Sequence, residues 1–217
     1  MKKIVTLALC VVLFSAAAHA SSLYVGGQYT DVKSVVNNAL TDEGGGSVSG
    51  SYLDKKPLDY LYCVDLFTNV YVSSSYDYTT FNRSGVIHGN IINNVGQVAW
   101  LLDHYGIGGQ GDQANALQAA IWTVINGYNT YHLDTIHSSE TVTKLYNTMI
   151  SGSANQAGII SNYLWINPGS DAAGNSKYQG LVTASPVPEP ATMLLFGSGI
   201  VGLAGWRLRR KTKIIKG

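Results

Sequence analysis

The sequence predicts an α+β domain, a β-sandwich or barrel-like fold with two or three inserted helices, on two observations. Strand patterns fill the part of the chain before Gly85 and return near Tyr163. Between them, apolar residues recur every three or four positions, which is the period of a helix buried on one face. We expect one domain over 21–184, between a signal peptide at 1–20 and a sorting signal at 185–217.

The first part of the chain is interpreted from alternation and turn chemistry. Residues 21–30 alternate well enough for a first strand, and residues 44–50 predict a flexible glycine-rich loop. Residues 31–40 place their valines near helical spacing, although the segment is short for a helix. Residues 59–72 carry the strongest strand pattern of the chain, and the aromatic-rich residues 76–81 continue it.

The middle of the chain predicts helices. Apolar spacing over 87–102 indicates a helix of about five turns. Residues 112–126 predict a second helix, and residues 141–150 predict a third. The remainder returns to short strands at 163–166 and 179–182, separated by Asn, Pro and Gly turns.

The N-terminus has the three parts of an export signal. Residues 1–3 are basic, residues 4–18 are apolar, and Ala18-His19-Ala20 fits the small-x-small pattern of a signal-peptidase site. We expect cleavage after Ala20 and export by the general secretory route. Cys10 would leave with the signal.

The C-terminus combines a proline motif, an apolar segment and a basic tail. Pro188, Glu189 and Pro190 precede an apolar segment at 191–206, and Lys and Arg cluster over 207–216. Sixteen helical residues reach roughly 24 Å, short of the ~30 Å hydrocarbon core of a bilayer. Cations behind such a segment stay on the cytoplasmic side, so the domain would face outward. This segment is therefore a weak membrane anchor or a sorting tail that is later removed.

Residues 187–211 resemble a PEP-CTERM sorting signal, through the Pro-Glu-Pro motif, the Gly-interrupted apolar segment and the arginine cluster. That resemblance implies an exosortase as processing partner and transient inner-membrane anchoring by residues 191–206. It also implies a Gram-negative, exopolysaccharide-producing host. The final location would be the cell surface or the extracellular matrix of a biofilm.

Charge excludes nucleic acid as a partner of the domain. Between residues 21 and 186 the chain has six Lys and Arg against twelve Asp and Glu, a net charge of −6. Binding to a phosphate backbone rests on cations that release counterions, which this acidic segment lacks.

A lone cysteine and a core-facing amide carry the candidate chemistry. Cys63 is the only cysteine expected in the mature protein, so it has no internal disulfide partner. Gln118 lies in the apolar stripe of the second predicted helix, where a buried amide needs a partner. Attack of the Cys63 sulfur on the carboxamide carbon would release ammonia and leave an internal thioester. Packing by Tyr62 and Trp122 would exclude water until an amine takes the acyl group.

Two short motifs resemble those of the thioester domains of bacterial surface adhesins. The first is Tyr62-Cys63-Val64, and the second is Leu-Gln-Ala-Ala-Ile-Trp at 117–122, with Leu117 where members of that family usually carry Thr. The resemblance implies a Cys63–Gln118 cross-link that acylates an amine-bearing target once, as an adhesin does and without enzymatic turnover. The flanking residues that would shield the bond are Tyr62, Val64, Leu117, Ile121 and Trp122.

Two other interpretations remain open at the level of sequence. In one, Cys63 is the nucleophile of a Cys-His hydrolase. The candidate bases would be His88 and His104, both on the long predicted helix, or His132 and His137. In the other, the protein is a structural component of the matrix, and Cys63 and Gln118 only pack. Nothing in the sequence indicates a cofactor or a metal site, because the histidines lack the spacing of zinc ligands and Asp112 and Asp171 stand apart.

Overall fold

The computed structural model describes residues 21–27, 30–107, 110–171 and 176–185. The predicted signal peptide and the predicted sorting signal, with Pro188, Glu189, Pro190 and residues 191–206, lie outside these residues. Within the described part, no helix combines the length and the apolar character needed to cross a bilayer.

Strands and helices follow one another along the described chain. The strands are β1 (Ser21–Val25), β2 (Thr30–Val36), β3 (Ala39–Gly45), β4 (Tyr52–Leu53), β5 (Lys56–Pro57), β6 (Tyr62–Cys63), β7 (Ser74–Asn82), β8 (Val86–Ile87), β9 (Asn90–Ile91), β10 (Tyr131–Leu133), β11 (Tyr163–Asn167) and β12 (Leu181–Ala184). The helices are α1 (Val95–Tyr105), α2 (Asp112–Asn126) and α3 (Glu140–Ser153), with a 3₁₀ turn at Ile160–Asn162.

The named strands pair antiparallel throughout. Seven of them form one sheet in the order β5-β4-β1-β7-β11-β12-β6, three form a second sheet in the order β10-β2-β3, and β8 and β9 form a hairpin. All three helices lie between β7 and β11 in sequence, so they are inserted into the strand order. This confirms the predicted α+β class, and the curled sheets agree with a barrel-like arrangement.

Helix α2 lies in the middle of the hydrophobic core. Residues 116–125 are buried without a break, and α2 contacts α1, α3, β2, β3 and β10. The sequence predicted one buried stripe, but the helix is covered nearly all round. Ala116, Ala119 and Ala120 are fully buried, and their small side chains let neighbouring elements approach the helix axis closely.

The prediction of a long helix over 87–102 is wrong for the first residues of that range. Helix α1 begins at Val95, and the preceding residues form the β8–β9 hairpin. The two residues of its turn, His88 and Gly89, have φ of 50° and 77°. Left-handed backbone at both central positions is the mark of a tight hairpin turn and cannot continue a right-handed helix. The isoleucines at 87 and 91 fit both periods, so spacing alone misassigned them.

Residues 31–40 also differ from their helix-like spacing. They form β2 and the start of β3, joined by Asn37 and Asn38 with φ of 50° and 65°. Asparagine tolerates this conformation, so the Asn-Asn pair makes the hairpin turn. Strand β3 then continues into the segment predicted as a loop and ends at Gly45.

The extended segment predicted over 59–72 forms ladder pairs only at β6. It ends where the Asp65 carboxylate accepts a hydrogen bond from the Phe67 N–H at 3.1 Å, an Asx turn that bends the chain. Leu61, Tyr62 and Val64 are nevertheless all within the core.

The remaining elements agree with the sequence prediction within a few residues. Helix α2 matches the predicted span, with Gly111 in the cap position and Asp112 as its first residue. Helix α3 begins at Glu140 because Ser139 caps it, the Ser139 hydroxyl accepting a hydrogen bond from the Val142 N–H, and it ends at Ser153, beyond the predicted end at 150. Strands β11 and β12 lie where short strands were predicted.

Candidate functional site

Cys63 and Gln118 meet through two hydrogen bonds. The Cys63 N–H donates to Gln118 Oε1 at 2.9 Å, and Gln118 Nε2 donates to the Cys63 carbonyl oxygen at 2.7 Å. The two residues are 55 positions apart in sequence. The carboxamide is therefore held at its oxygen and at its nitrogen by the main chain of the cysteine.

This contact follows from the position of β6 at the edge of the seven-stranded sheet. On one side β6 pairs with β12, and the Val64 N–H donates to the Gly180 carbonyl oxygen at 2.8 Å. Main-chain groups of successive residues alternate in direction along an antiparallel strand, so those of Cys63 point away from β12. A buried edge with unpaired groups is costly. The side chain of Gln118 takes the place of a further strand there.

Apolar packing surrounds the pair. Gln118 is fully buried and Cys63 is 3% exposed. The ring of Tyr62 packs against Tyr60 at a centroid distance of 5.5 Å, and Trp122 packs edge-on against Tyr131 at 5.4 Å. All the flanking residues singled out from the sequence are buried, namely Tyr62, Val64, Leu117, Ile121 and Trp122. The Cys63–Gln118 contact is itself buried, so it has little access to water.

Gly45, at the end of β3, closes one side of the site and was not predicted from the sequence. A Cβ at this position would lie 2.8 Å from Gln118 Cγ and 3.2 Å from Trp122 Cη2. Only a glycine lets β3 approach the Gln118 side chain this closely. The run of glycines at 44–46 was the available signal, but it was interpreted as loop flexibility rather than close approach.

The Cys63 thiol is held in its protonated form. Burial raises the pKa of this thiol from its ordinary 9.0 to about 12, and the negative charge of Asp65 adds to the rise. Reactive cysteines of hydrolases have the opposite environment, a cation or a helix N-terminus that lowers the thiol pKa. Any reaction at Cys63 therefore needs a group that accepts the thiol proton.

The described histidines bond to groups other than Cys63. His88 Nε2 lies 2.9 Å from Asp65 Oδ2, and His88 belongs to the β8–β9 turn rather than to the predicted helix. The remaining three bond within their own segments, His104 to the Trp100 carbonyl oxygen, His132 to the Tyr128 carbonyl oxygen and His137 to the Asp134 carboxylate. The Cys-His pair of the hydrolase interpretation therefore finds no support in these contacts.

Metal ligands do not gather in the described part of the chain, where no group of three or more His, Cys, Asp and Glu side chains could hold an ion. Asp112 begins α2, and Asp171 lies beyond β11.

Comparison with protein families identifies two regions of the chain. Residues 60–155 match the thioester domain, and residues 186–211 match the PEP-CTERM protein-sorting motif. The first match contains Cys63, Gln118 and all three helices. No curated protein and no solved structure matches the chain. The chain therefore carries a PEP-CTERM sorting motif behind a domain that resembles the thioester domain of bacterial adhesins.

Proposed function

We propose that this exported, adhesion-like surface protein attaches covalently to a partner through an internal Cys63–Gln118 thioester. The observation that carries the proposal is the pair of hydrogen bonds between the Gln118 carboxamide and the Cys63 main chain, inside the region that matches a thioester domain. The partner would be any protein or small molecule that presents an amine.

The hydrogen bonds favour formation of the bond. The Cys63 N–H donates to the oxygen on which negative charge develops when sulfur adds to the carboxamide carbon, as in an oxyanion hole. The Cys63 carbonyl oxygen orients the nitrogen that leaves. The thiol proton moves to that nitrogen, the C–N bond breaks, a C–S bond forms and ammonia departs. This route suits a thiol that is protonated at neutral pH.

The strand geometry also supports this reaction. The carboxamide bonds in the plane of the sheet, at the edge of β6. A strand side chain projects roughly perpendicular to that plane. The Cys63 sulfur is thereby directed to one face of the carboxamide, and a carbonyl carbon is attacked from its face.

Acylation of a target consumes the bond once. The nitrogen of an incoming amine adds to the thioester carbon, the C–S bond breaks, and Gln118 keeps the target as a stable amide. Cys63 is left as a free thiol. We infer single-event attachment rather than enzymatic turnover, because nothing in this reaction restores the thioester.

The terminal segments would deliver the domain to its place of action. The PEP-CTERM motif implies processing by an exosortase and a cell-surface destination in a Gram-negative bacterium. We propose that residues 1–20 direct export by the general secretory route. Residues 191–206 would then hold the intermediate in the inner membrane until the exosortase acts, and the product would join the surface or the exopolysaccharide matrix.

A structural matrix protein is the second candidate function, because the same two hydrogen bonds also satisfy the edge of β6. The two proposals predict different masses for the mature protein. The mature protein with a thioester is lighter than its sequence by one ammonia, and methylamine adds its full mass on reaction. Cys63→Ala should show the sequence mass and no methylamine uptake. If the native protein had its sequence mass and did not react with methylamine, the thioester would be refuted and the structural function would remain.

A further inference from the structure

A histidine and an aspartate form a hydrogen-bonded pair close to the candidate thioester. Asp65 follows Cys63 by two positions, the spacing at which side chains of an extended chain project to the same side. The Asp65 carboxylate lies near enough to the Cys63 sulfur for its charge to raise the thiol pKa. His88 Nε2 is 2.9 Å from Asp65 Oδ2.

Each member of the pair is fixed by further contacts. Asp65 accepts hydrogen bonds from the Phe67 N–H and the Thr68 hydroxyl. The main-chain N–H of His88 donates to Asn167 Oδ1 at 2.8 Å, and Asn167 is itself buried on β11. The backbone of His88 is therefore held independently of Asp65, and Asp65 orients the imidazole.

The β8–β9 hairpin that carries His88 is docked on the strand pair that carries Cys63. A Cβ at Gly180 would lie 2.3 Å from Ile87 Cγ2, so Ile87 sits directly against the glycine backbone. The carbonyl oxygen of Gly180 accepts from the Val64 N–H. Gly180 thus contacts both the hairpin and Val64, the residue after Cys63, and this couples the position of His88 to that of Cys63.

His88 also reaches solvent, unlike the thioester pair. Its side chain is 28% exposed and that of Asp65 is 17% exposed, whereas Gln118 is fully buried. A target amine approaching from solvent would meet His88 before it met the buried bond. A neutral imidazole that is partly exposed can accept a proton while the carboxylate bonded to it stabilises the charge that forms.

We propose that His88, oriented by Asp65, is the proton-transfer residue for acylation of the target amine. The proposal rests on the Cys63–Gln118 thioester proposed above. The amine nitrogen adds to the thioester carbon, and His88 takes one proton from that nitrogen. The C–S bond then breaks, and His88 returns the proton to the Cys63 sulfur. Amide and thiol are formed, and no oxidant, reductant or further reagent is needed.

The environment of Cys63 explains why such a proton donor matters. A thiol whose pKa is raised to about 12 is a poor leaving group as a thiolate, because the same burial and the same carboxylate charge destabilise the anion. This protects the thioester at rest. Protonation of the sulfur as the C–S bond breaks removes that obstacle, and a positioned histidine contributes typically 10²–10⁴-fold to such a step.

The test compares thioester content with the rate of methylamine uptake in the mature protein. His88→Asn is the first variant, because asparagine tolerates the φ of 50° and retains the turn but cannot accept the proton. His88→Gly is the second, because glycine also fits this backbone and leaves room for free imidazole. His104→Ala is the control, since His104 stacks on Trp100 in α1 away from the pair.

We expect both His88 variants to keep the ammonia-depleted mass of the native protein. Uptake of methylamine should slow by about 100-fold or more in both, and added imidazole should restore it in His88→Gly only. His104→Ala should react at the native rate. Native-rate uptake in His88→Asn, or slow uptake in His88→Gly that imidazole does not raise, would overturn the proposal and leave the thioester standing. A native protein without the ammonia deficit would instead refute the thioester itself.

Discussion

Gly45 offers the sharpest structural test of how the site is built. Replacing it with alanine adds one methyl group 2.8 Å from Gln118 Cγ and 3.0 Å from Val32 Cγ2, closer than carbon atoms approach without a shift. The φ of Gly45 is outside the left-handed region, so alanine is strained here by packing and not by its backbone. The neighbours are the buried side chains of Val32 and Gln118, and neither can move into solvent.

The expected cost follows from overpacking a filled core. One extra methyl typically destabilises by about 1–3 kcal/mol, which lowers the Tm of a domain of this size by about 2–4 °C per kcal/mol. The displaced atom is the Cγ that carries the Gln118 carboxamide. We therefore expect the fraction of protein with the ammonia-depleted mass to fall together with the stability.

Gly27→Ala is the matched control for this variant. Among the described residues, the same methyl at Gly27 would meet only the Ser73 hydroxyl at 3.6 Å, an ordinary contact. Thermal unfolding and intact mass would be measured for both variants and the native protein. Gly27→Ala should match the native protein within about 0.5 kcal/mol. If Gly45→Ala were equally stable and retained the full ammonia deficit, the close packing of β3 on Gln118 would be refuted.

Three further substitutions test the shielding of the bond, the burial of the thiol and the cap of α3. Trp122→Ala removes the edge-on contact with Tyr131 and should destabilise the fold by about 3–5 kcal/mol. Hydrolysis of the thioester, measured as a gain of one water in the intact mass, should also accelerate. An unchanged thioester lifetime would contradict the shielding role of Trp122. In Gln118→Ala, the Cys63 thiol should be alkylated slowly at neutral pH, and the alkylation rate should rise from pH 9 towards pH 12, because burial raises the pKa of this thiol. Rapid alkylation at pH 7 would show that the thiol is not buried. Ser139→Ala removes the cap of α3 and should cost about 0.5–2 kcal/mol by chemical denaturation, with the thioester retained; no loss of stability would show that the cap is not needed.

The sequence was informative where one period or one motif admitted a single interpretation. Helix α2 was predicted because its apolar residues fit only the helical period over four turns, and Gly127 follows its last residue. Gln118 was noted because an amide in an apolar stripe is unusual. The structure adds the partner, the main chain of Cys63, through hydrogen bonds that no spacing rule can supply.

The sequence misled where two structures share one spacing. Ile87 and Ile91 are four apart, which suits a helix, yet they belong to the two strands of a hairpin because His88 and Gly89 adopt left-handed backbone between them. This error also placed His88 on the wrong element and hid its contact with Asp65. A tight turn depends on the backbone conformation of two residues. A search for apolar residues at regular spacing over a long window does not detect it.

Long-range packing was beyond local sequence patterns. That β6 lies at a sheet edge depends on β12, more than a hundred residues later, and on the absence of a further strand within the described part of the sheet. The role of Gly45 depends likewise on α2 crossing the end of β3. Neither the edge position of β6 nor the role of Gly45 can be predicted from the residues close to Cys63 in sequence.

Peptide mapping of the mature protein tests directly whether a covalent bond joins Cys63 to Gln118. The protein would be digested with pepsin at acidic pH, where thioesters resist hydrolysis, without prior exposure to amines. We expect a linked species that contains the Cys63 peptide and the Gln118 peptide, lighter than their combined mass by one ammonia. Separate peptides at full mass, with the Cys63 thiol open to alkylation, would contradict it.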